Sequence, residues 1–348
     1  MNLRTNAIAG ALAAAALFGA STPFAKLLLG EVSPWLLAAV LYLGSGLGLG
    51  AWIALRPRSD PVPRIERRDW PWLAAAIASG GVVAPVLLLS GLAVTSAGAS
   101  SLLLNLEAVF TALIAWTVFR ENAGPRVFTG WLAIVAGGVL LAWEQAPGAG
   151  GLAGPLLVAA ACLAWAIDNN LTRKVAGGDA ALIACLKGLV AGAVNLVLAL
   201  ASGAALPAIA SLAGGAVVGF LGYGVSLALF IVALRQLGTA RTSAYFSIAP
   251  FFGAALALVL LAEQPGTAFW MAAALMALGV WLHVSERHGH FHVHETSEHA
   301  HAHVHDEHHR HAHAFEWDGG EPHTHPHRHE PLAHAHRHDP DLHHRHRH

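Results

Sequence analysis

The sequence predicts an all-α integral membrane protein: ten transmembrane helices in two inverted five-helix repeats, followed by a disordered histidine-rich tail. Three observations lead there. Of 348 residues, 55% are apolar and only 12% charged, about half the charged share of an ordinary soluble domain. Apolar runs long enough to cross a bilayer core of roughly 30 Å recur along the chain. The chain also resembles itself when displaced by 142 residues.

The runs fall at residues 6–28, 33–55, 70–93, 96–119, 127–145, 152–172, 180–202, 210–234, 240–262 and 267–284. They are too long and continuous for the alternating strands of a membrane barrel, and lipid leaves no other regular backbone, so each is a helix. The first run exceeds the apolar region of a secretory signal, roughly 7–15 residues, and reads as a span. Trp35, Trp52, Trp70, Trp72, Trp143, Trp270 and Trp281 stand near span ends, as an interfacial belt requires. Cys162 and Cys185 lie in separate apolar runs, which argues against a disulfide framework or a paired-cysteine zinc site.

Orientation follows from the connections, since Lys and Arg are retained on the cytoplasmic side. With the N-terminus inside, cytoplasmic connections hold Arg56, Arg58, Arg64, Arg67, Arg68, Arg120, Arg126, Arg173, Lys174, Arg235 and Arg241. The other side holds Glu31, Glu144 and Glu263, with Lys26 nearby. Both termini are therefore expected in the cytoplasm. Through Val284 there are 14 Lys and Arg against 10 Asp and Glu; beyond it, 6 Arg stand against 11 acids. Neither part has the charge pattern of a nucleic-acid binder.

The displacement superposes Gly80–Glu144 on Gly222–Glu286, bringing Ser101 onto Ser243, Phe110 onto Phe252, Glu121 onto Glu263 and Gly137 onto Gly279. Repeats of five crossings must insert in opposite orientations, the inverted topology of many secondary transporters. The expected divisions are a first repeat over 1–145, a second over 152–286 and a tail over 287–348.

Three stretches carry a resemblance. These are Ala99 to Trp116 followed by Phe119-Arg120-Glu121, Phe18-Gly19-Ala20-Ser21-Thr22-Pro23-Phe24-Ala25-Lys26, and Trp165 to Lys174. Together they resemble the drug/metabolite transporter superfamily, EamA type, over about residues 1–286. That resemblance implies ten helices in two EamA repeats, a central cavity, and export or exchange of small metabolites across the bacterial inner membrane. The chain departs from the pattern at Ala108, where proline is frequent, although Pro250 occupies the matching place in the second repeat. The tail is no part of the family pattern.

A transporter needs polar groups at membrane depth, facing the bundle interior because lipid penalises them. Glu107 lies mid-span, too deep to reach an interface, and is expected to line the path as a proton-exchanging carboxylate or a counter-charge for a substrate amine. A structural carboxylate paired to one neighbour is the alternative. Asn105, two residues earlier, points elsewhere on the helix and suits either the path or an interhelix hydrogen bond. Asp168 and Asn169 lie near the end of the sixth span; at an offset of 147 residues, which aligns Lys26 with Arg173, Asp168 replaces Ser21. Asp168 serves the site or pairs with Arg173 or Lys174. Lys187, two turns into the seventh span, snorkels or pairs with Asp168 or Glu107. Trp165, Tyr223 and Tyr245 are candidate apolar or cation–π walls. Gly80, Gly81 and Pro85 match Gly222 and Gly224, and interrupted helices at corresponding places in two halves point to a transport site.

All 24 histidines fall between His283 and His348. From His288 onward the chain has low hydrophobicity, several prolines and a His-x-His pattern, so disorder without ligand is expected. His290, His292, His294, His299, His301, His303, His305, His323, His325, His327 and His329 alternate with other residues. In extended chain such neighbours share a face and can converge on zinc, nickel or copper. A competing reading is a pH-responsive tail. The expected function is an inner-membrane secondary transporter that exports or exchanges a small, amino-acid-like or related metabolite, with bilayer, small-molecule substrate and proton or counter-substrate as partners, needing no cofactor, with divalent metal at the tail. A nickel, cobalt or zinc exporter, or a metal-sensing membrane protein, is the alternative. No nucleophile and base set or cofactor loop suggests an enzyme.

Overall fold

The protein is described by a computed structural model covering residues 3–55, 66–119, 124–145, 151–172, 175, 179–237, 242, 245–285, 289–294, 297–303, 323–329 and 332–337. It divides into two units, Met1–Glu286 and Arg287–His348. Arg56, Arg58, Arg64, Arg120, Glu121, Arg173, Lys174, Arg241 and His305 lie outside the described residues.

In the first unit the described elements are helices, and apolar length makes them span. The first two are α1 (Leu3–Leu28) and α2 (Pro34–Leu55). The third span contains α3 (Trp70–Ala76), a π-helical segment (Ile77–Val83) and α4 (Ala84–Val94). The fourth contains α5 (Ala97–Leu103) and α6 (Leu106–Phe119), and α7 (Pro125–Gln145) ends the first repeat. The second repeat runs through α8 (Ala153–Thr172), α9 (Ala180–Ala201), α10 (Ile209–Gly219), a π-helical segment (Phe220–Val225) and α11 (Ser226–Leu237). It closes with α12 (Ala249–Leu260) and α13 (Thr267–Val284). Among the described residues nine spans are long and apolar enough to cross a membrane, while α12 is shorter than the expected ninth run because a turn at 247–248 precedes it.

The irregularities obey the repeat. Displacing the first π segment by 142 residues carries Ile77 onto Gly219, beside the second segment at Phe220–Val225. The turn between α5 and α6 at 104–105 similarly falls beside the turn at 247–248. In the first of these turns Leu104 donates to Ser101 O at 3.2 Å and Asn105 to Leu102 O at 3.1 Å, the tight spacing of a 3₁₀ turn. Irregular backbone at membrane depth is tolerated where it is buried in protein or lines a cavity.

Small residues bring helices together where hydrophobic burial gives no advantage over lipid. A Cβ on Gly188 in α9 would lie 2.8 Å from Gly46 Cα in α2, and one on Gly130 in α7 would lie 2.8 Å from Gly279 O in α13. Leu88, Leu103, Ile134, Cys162 and Met276 form the buried centre shared by α4, α5, α7, α8 and α13. The tryptophans separate as the belt requires: the seven near span ends are exposed, Trp35 least at 38%, whereas Trp131 and Trp165 are buried. Both cysteines are free and buried.

One end of the bundle is clamped by charge. Lys26 donates to Leu92 O at 2.5 Å, Thr95 O at 2.9 Å and Ala93 O at 3.2 Å, capping the end of α4. Ala262 takes φ 50°, a left-handed conformation costing a non-glycine residue roughly 1–2 kcal/mol. The reversal directs Glu263 at the start of α5, where it accepts from Ala97 N at 2.6 Å and Gly98 N at 2.9 Å. A carboxylate there also complements the helix dipole.

In the second unit β1 (Gly289–His294) pairs antiparallel with β4 (Leu332–Arg337), and β2 (Ser297–His303) with β3 (His323–His329). The register sets His290 opposite His336 and His299 opposite His327. Two-stranded ladders of this length are marginal alone in water.

The clamp predicts that Glu263→Ala lowers the stability of the detergent-solubilised protein by about 2 kcal/mol, since it removes two charge-assisted hydrogen bonds. Thermal unfolding followed by size-exclusion chromatography reads this as a lowered midpoint; an unchanged midpoint would show that the clamp contributes nothing.

Candidate functional site

The site begins with α8. Trp165, Asp168 and Thr172 follow one another at three- and four-residue steps and so share a face, with Asn169 beside them. Asp168 is 5% exposed. It accepts from Lys187 Nζ in α9 at 2.6 Å and 2.7 Å, one bond to each carboxylate oxygen, and from Thr172 Oγ1 at 2.9 Å. Lys187 also donates to Thr172 Oγ1 at 3.3 Å. Of its expected alternatives, Lys187 thus takes the pairing with Asp168.

Gly80 makes room for this pair. Any Cβ there would overlap the Asp168 carboxylate. The surrounding π segment leaves backbone carbonyls for side chains: Gly80 O accepts from Tyr42 Oη at 2.7 Å and Trp165 Nε1 at 2.9 Å, and Gly81 O accepts from Asn195 Nδ2 at 2.9 Å. The second repeat holds the counterpart, because a Cβ on Gly222 would lie 2.8 Å from Ser21 Cβ. Each π-segment glycine therefore faces the corresponding helix of the other repeat, Asp168 in one case and Ser21 in the other.

Glu107 sits in the first turn of α6, just past the 104–105 turn. Its Oε1 accepts from Asn169 Nδ2 at 2.8 Å, and Asn169 also reaches Thr111 Oγ1 at 3.4 Å. Among the described residues Glu107 has no cation within ion-pair distance. Through Asn169, the residue next to Asp168, it is joined to α8. Unlike Asp168, it opens onto accessible space at its bond to Asn169.

Aromatic rings continue the site across the two repeats. Tyr42 and Tyr223 stand 5.7 Å apart, Phe18 meets Tyr223 edge-on at 5.7 Å, and Phe246 lies 5.4 Å from Phe18. Tyr42 and Phe18 were not among the expected site residues, although a tyrosine inside an apolar run is itself a signal in a chain with only 3. Two candidates stand apart. Asn105 bonds Leu102 O at 2.8 Å and turns toward Met276 in α13, while Tyr245 packs against Ala7, Ala11 and Ala233.

A profile of the EamA-like transporter family matches residues 5–143 and 152–285, the two repeats. A curated relative named as an uncharacterized transporter of Methanothermobacter thermautotrophicus (strain Delta H) is 28% identical over 282 residues, covering 76% of this chain and 82% of the relative. Among solved structures, the crystal structure of a protein aligns with a TM-score of 0.58 at 21% identity, over 79% of this chain and 95% of its own. That likeness is one of fold.

The Asp168–Lys187 pair makes an asymmetric prediction, because removing one partner of a buried pair strands the other. Lys187→Met should cost about 3 kcal/mol or more, and Asp168→Asn combined with Lys187→Met distinctly less. Unfolding midpoints of both variants check this; equal losses would contradict the closed pair.

Proposed function

Because the chain belongs to the EamA-like transporter family, we propose that this membrane transporter exports or exchanges a small metabolite, using a proton or counter-substrate, through a path centred on Glu107. The observation carrying this reading is a carboxylate at membrane depth whose partner among the described residues is an amide, beside helices interrupted at matching places in both repeats. A charge so placed is costly unless it serves the interior, and the paired interruptions are where two halves can move about a shared site. Excess Lys and Arg on one set of connections supports a bacterial inner-membrane location with both termini cytoplasmic.

The histidines favour a second activity, binding of zinc, nickel or copper by the cytoplasmic tail. A divalent-metal exporter, or a metal sensor, rests on the tail alone. Within the spans Asp168 is already engaged by Lys187, and Glu107 offers a single carboxylate. The tail is therefore read as a metal-binding appendage on a metabolite carrier.

Proteoliposomes loaded with a pH-sensitive dye and presented with a metabolite panel test the first reading. A substrate-driven pH change in the wild type should fall about tenfold or more in Glu107→Gln; equal responses would refute the role of Glu107. Deleting residues 288–348 should abolish metal binding measured by calorimetry while leaving metabolite transport intact. Loss of cellular metal resistance on that deletion, with metabolite transport absent throughout, would favour the metal reading.

A further inference from the structure

The hydrogen-bond inventory around Glu107 is one-sided. A lysine ammonium has three donors, and Lys187 directs bonds to Asp168 Oδ1, Asp168 Oδ2 and Thr172 Oγ1. The two donors of Asn169 go to Glu107 Oε1 and Thr111 Oγ1. Those of Asn170 go to Thr111 O at 3.2 Å and Ala166 O at 2.9 Å. Tyr42 and Trp165 both donate to Gly80 O.

Two acceptors are left over. Glu107 Oε2 has no partner among the described residues. Asn170 Oδ1, on a residue only 2% exposed, is likewise buried without a partner among the described residues. Charge tells the same story, since Asp168 and Lys187 cancel and, among the described residues, Glu107 remains uncompensated. Tyr42, whose hydroxyl meets Gly80 O beside the Asp168 carboxylate, and Tyr223 next to it bring aromatic surface to the same region, which favours a cation as well.

We propose that this site takes an organic monocation, a primary amine whose ammonium donates to Glu107 while its apolar body lies against Tyr42, Tyr223 and Phe18. An amino acid fits less well. Its carboxylate would find Lys187 already committed to Asp168, and a desolvated anion needs donors. This narrows the substrate class and rests on the transport reading only for the consequence that the amine is carried, not for its binding.

The test uses the full-length protein in lipid nanodiscs with radiolabelled phenethylamine, a small primary amine with an aromatic body, at mildly alkaline pH. Saturable binding is expected, displaced by unlabelled phenethylamine and not by phenylalanine or phenylacetate. Glu107→Gln should weaken it about tenfold or more, the loss of a charge-assisted contact, and Glu107→Asp should restore part. Absence of saturable binding, displacement by phenylacetate as effective as by the amine, or full binding by Glu107→Gln would overturn the proposal. The competition on wild-type protein stands even if the glutamine variant does not fold. Binding without transport in proteoliposomes would uphold the amine site and remove the transport reading; transport of a carboxylate substrate without amine binding would do the reverse.

Discussion

The bidentate bond between Lys187 and Asp168 is the constraint on which the middle of the bundle depends. Two charges taken from water must satisfy each other fully, and this pair does so with Thr172 as a third partner. Its demand for space is met by Gly80, and the π segment around Gly80 turns a carbonyl toward Tyr42 and Trp165. One ion pair thereby ties together α2, α8, α9 and the third span. It also bears on the electrostatics, because Lys187 is engaged by Asp168 and, among the described residues, Glu107 has no cation of its own.

Symmetry accounts for where the backbone breaks. The two π segments and the two mid-span turns sit at nearly equivalent places in the repeats, so they are properties of the architecture and not of one local sequence. The repeats differ in chemistry at those places. Gly80 faces a carboxylate where Gly222 faces the serine side chain of Ser21. A symmetric frame with an asymmetric lining can rearrange as two halves and still present one oriented site.

Much of this was legible before any coordinates. Apolar run length located the spans, the offset of 142 residues matched Gly80 with Gly222, and the second offset exposed the exchange of Ser21 for Asp168. The tryptophan positions separated belt from core. Other features depend on which helices touch. Nothing in spacing tells that Lys187 meets Asp168 and not Glu107, because helix neighbours are set by packing of small residues such as Gly46 on Gly188. Tyr42 becomes a site residue only once the π segment offers it Gly80 O, and Asn105, expected to point elsewhere than Glu107, gains Met276 as its neighbour only once α13 is in place.

The central claim is that Asp168 is locked by Lys187 and that Glu107 is the exchangeable carboxylate. Labelling the protein in membranes with the hydrophobic reagent dicyclohexylcarbodiimide, followed by peptide mass spectrometry, tests it directly. The account predicts modification at Glu107 and none at Asp168. Modification of Asp168 with Glu107 untouched, or equal modification of both, would contradict it.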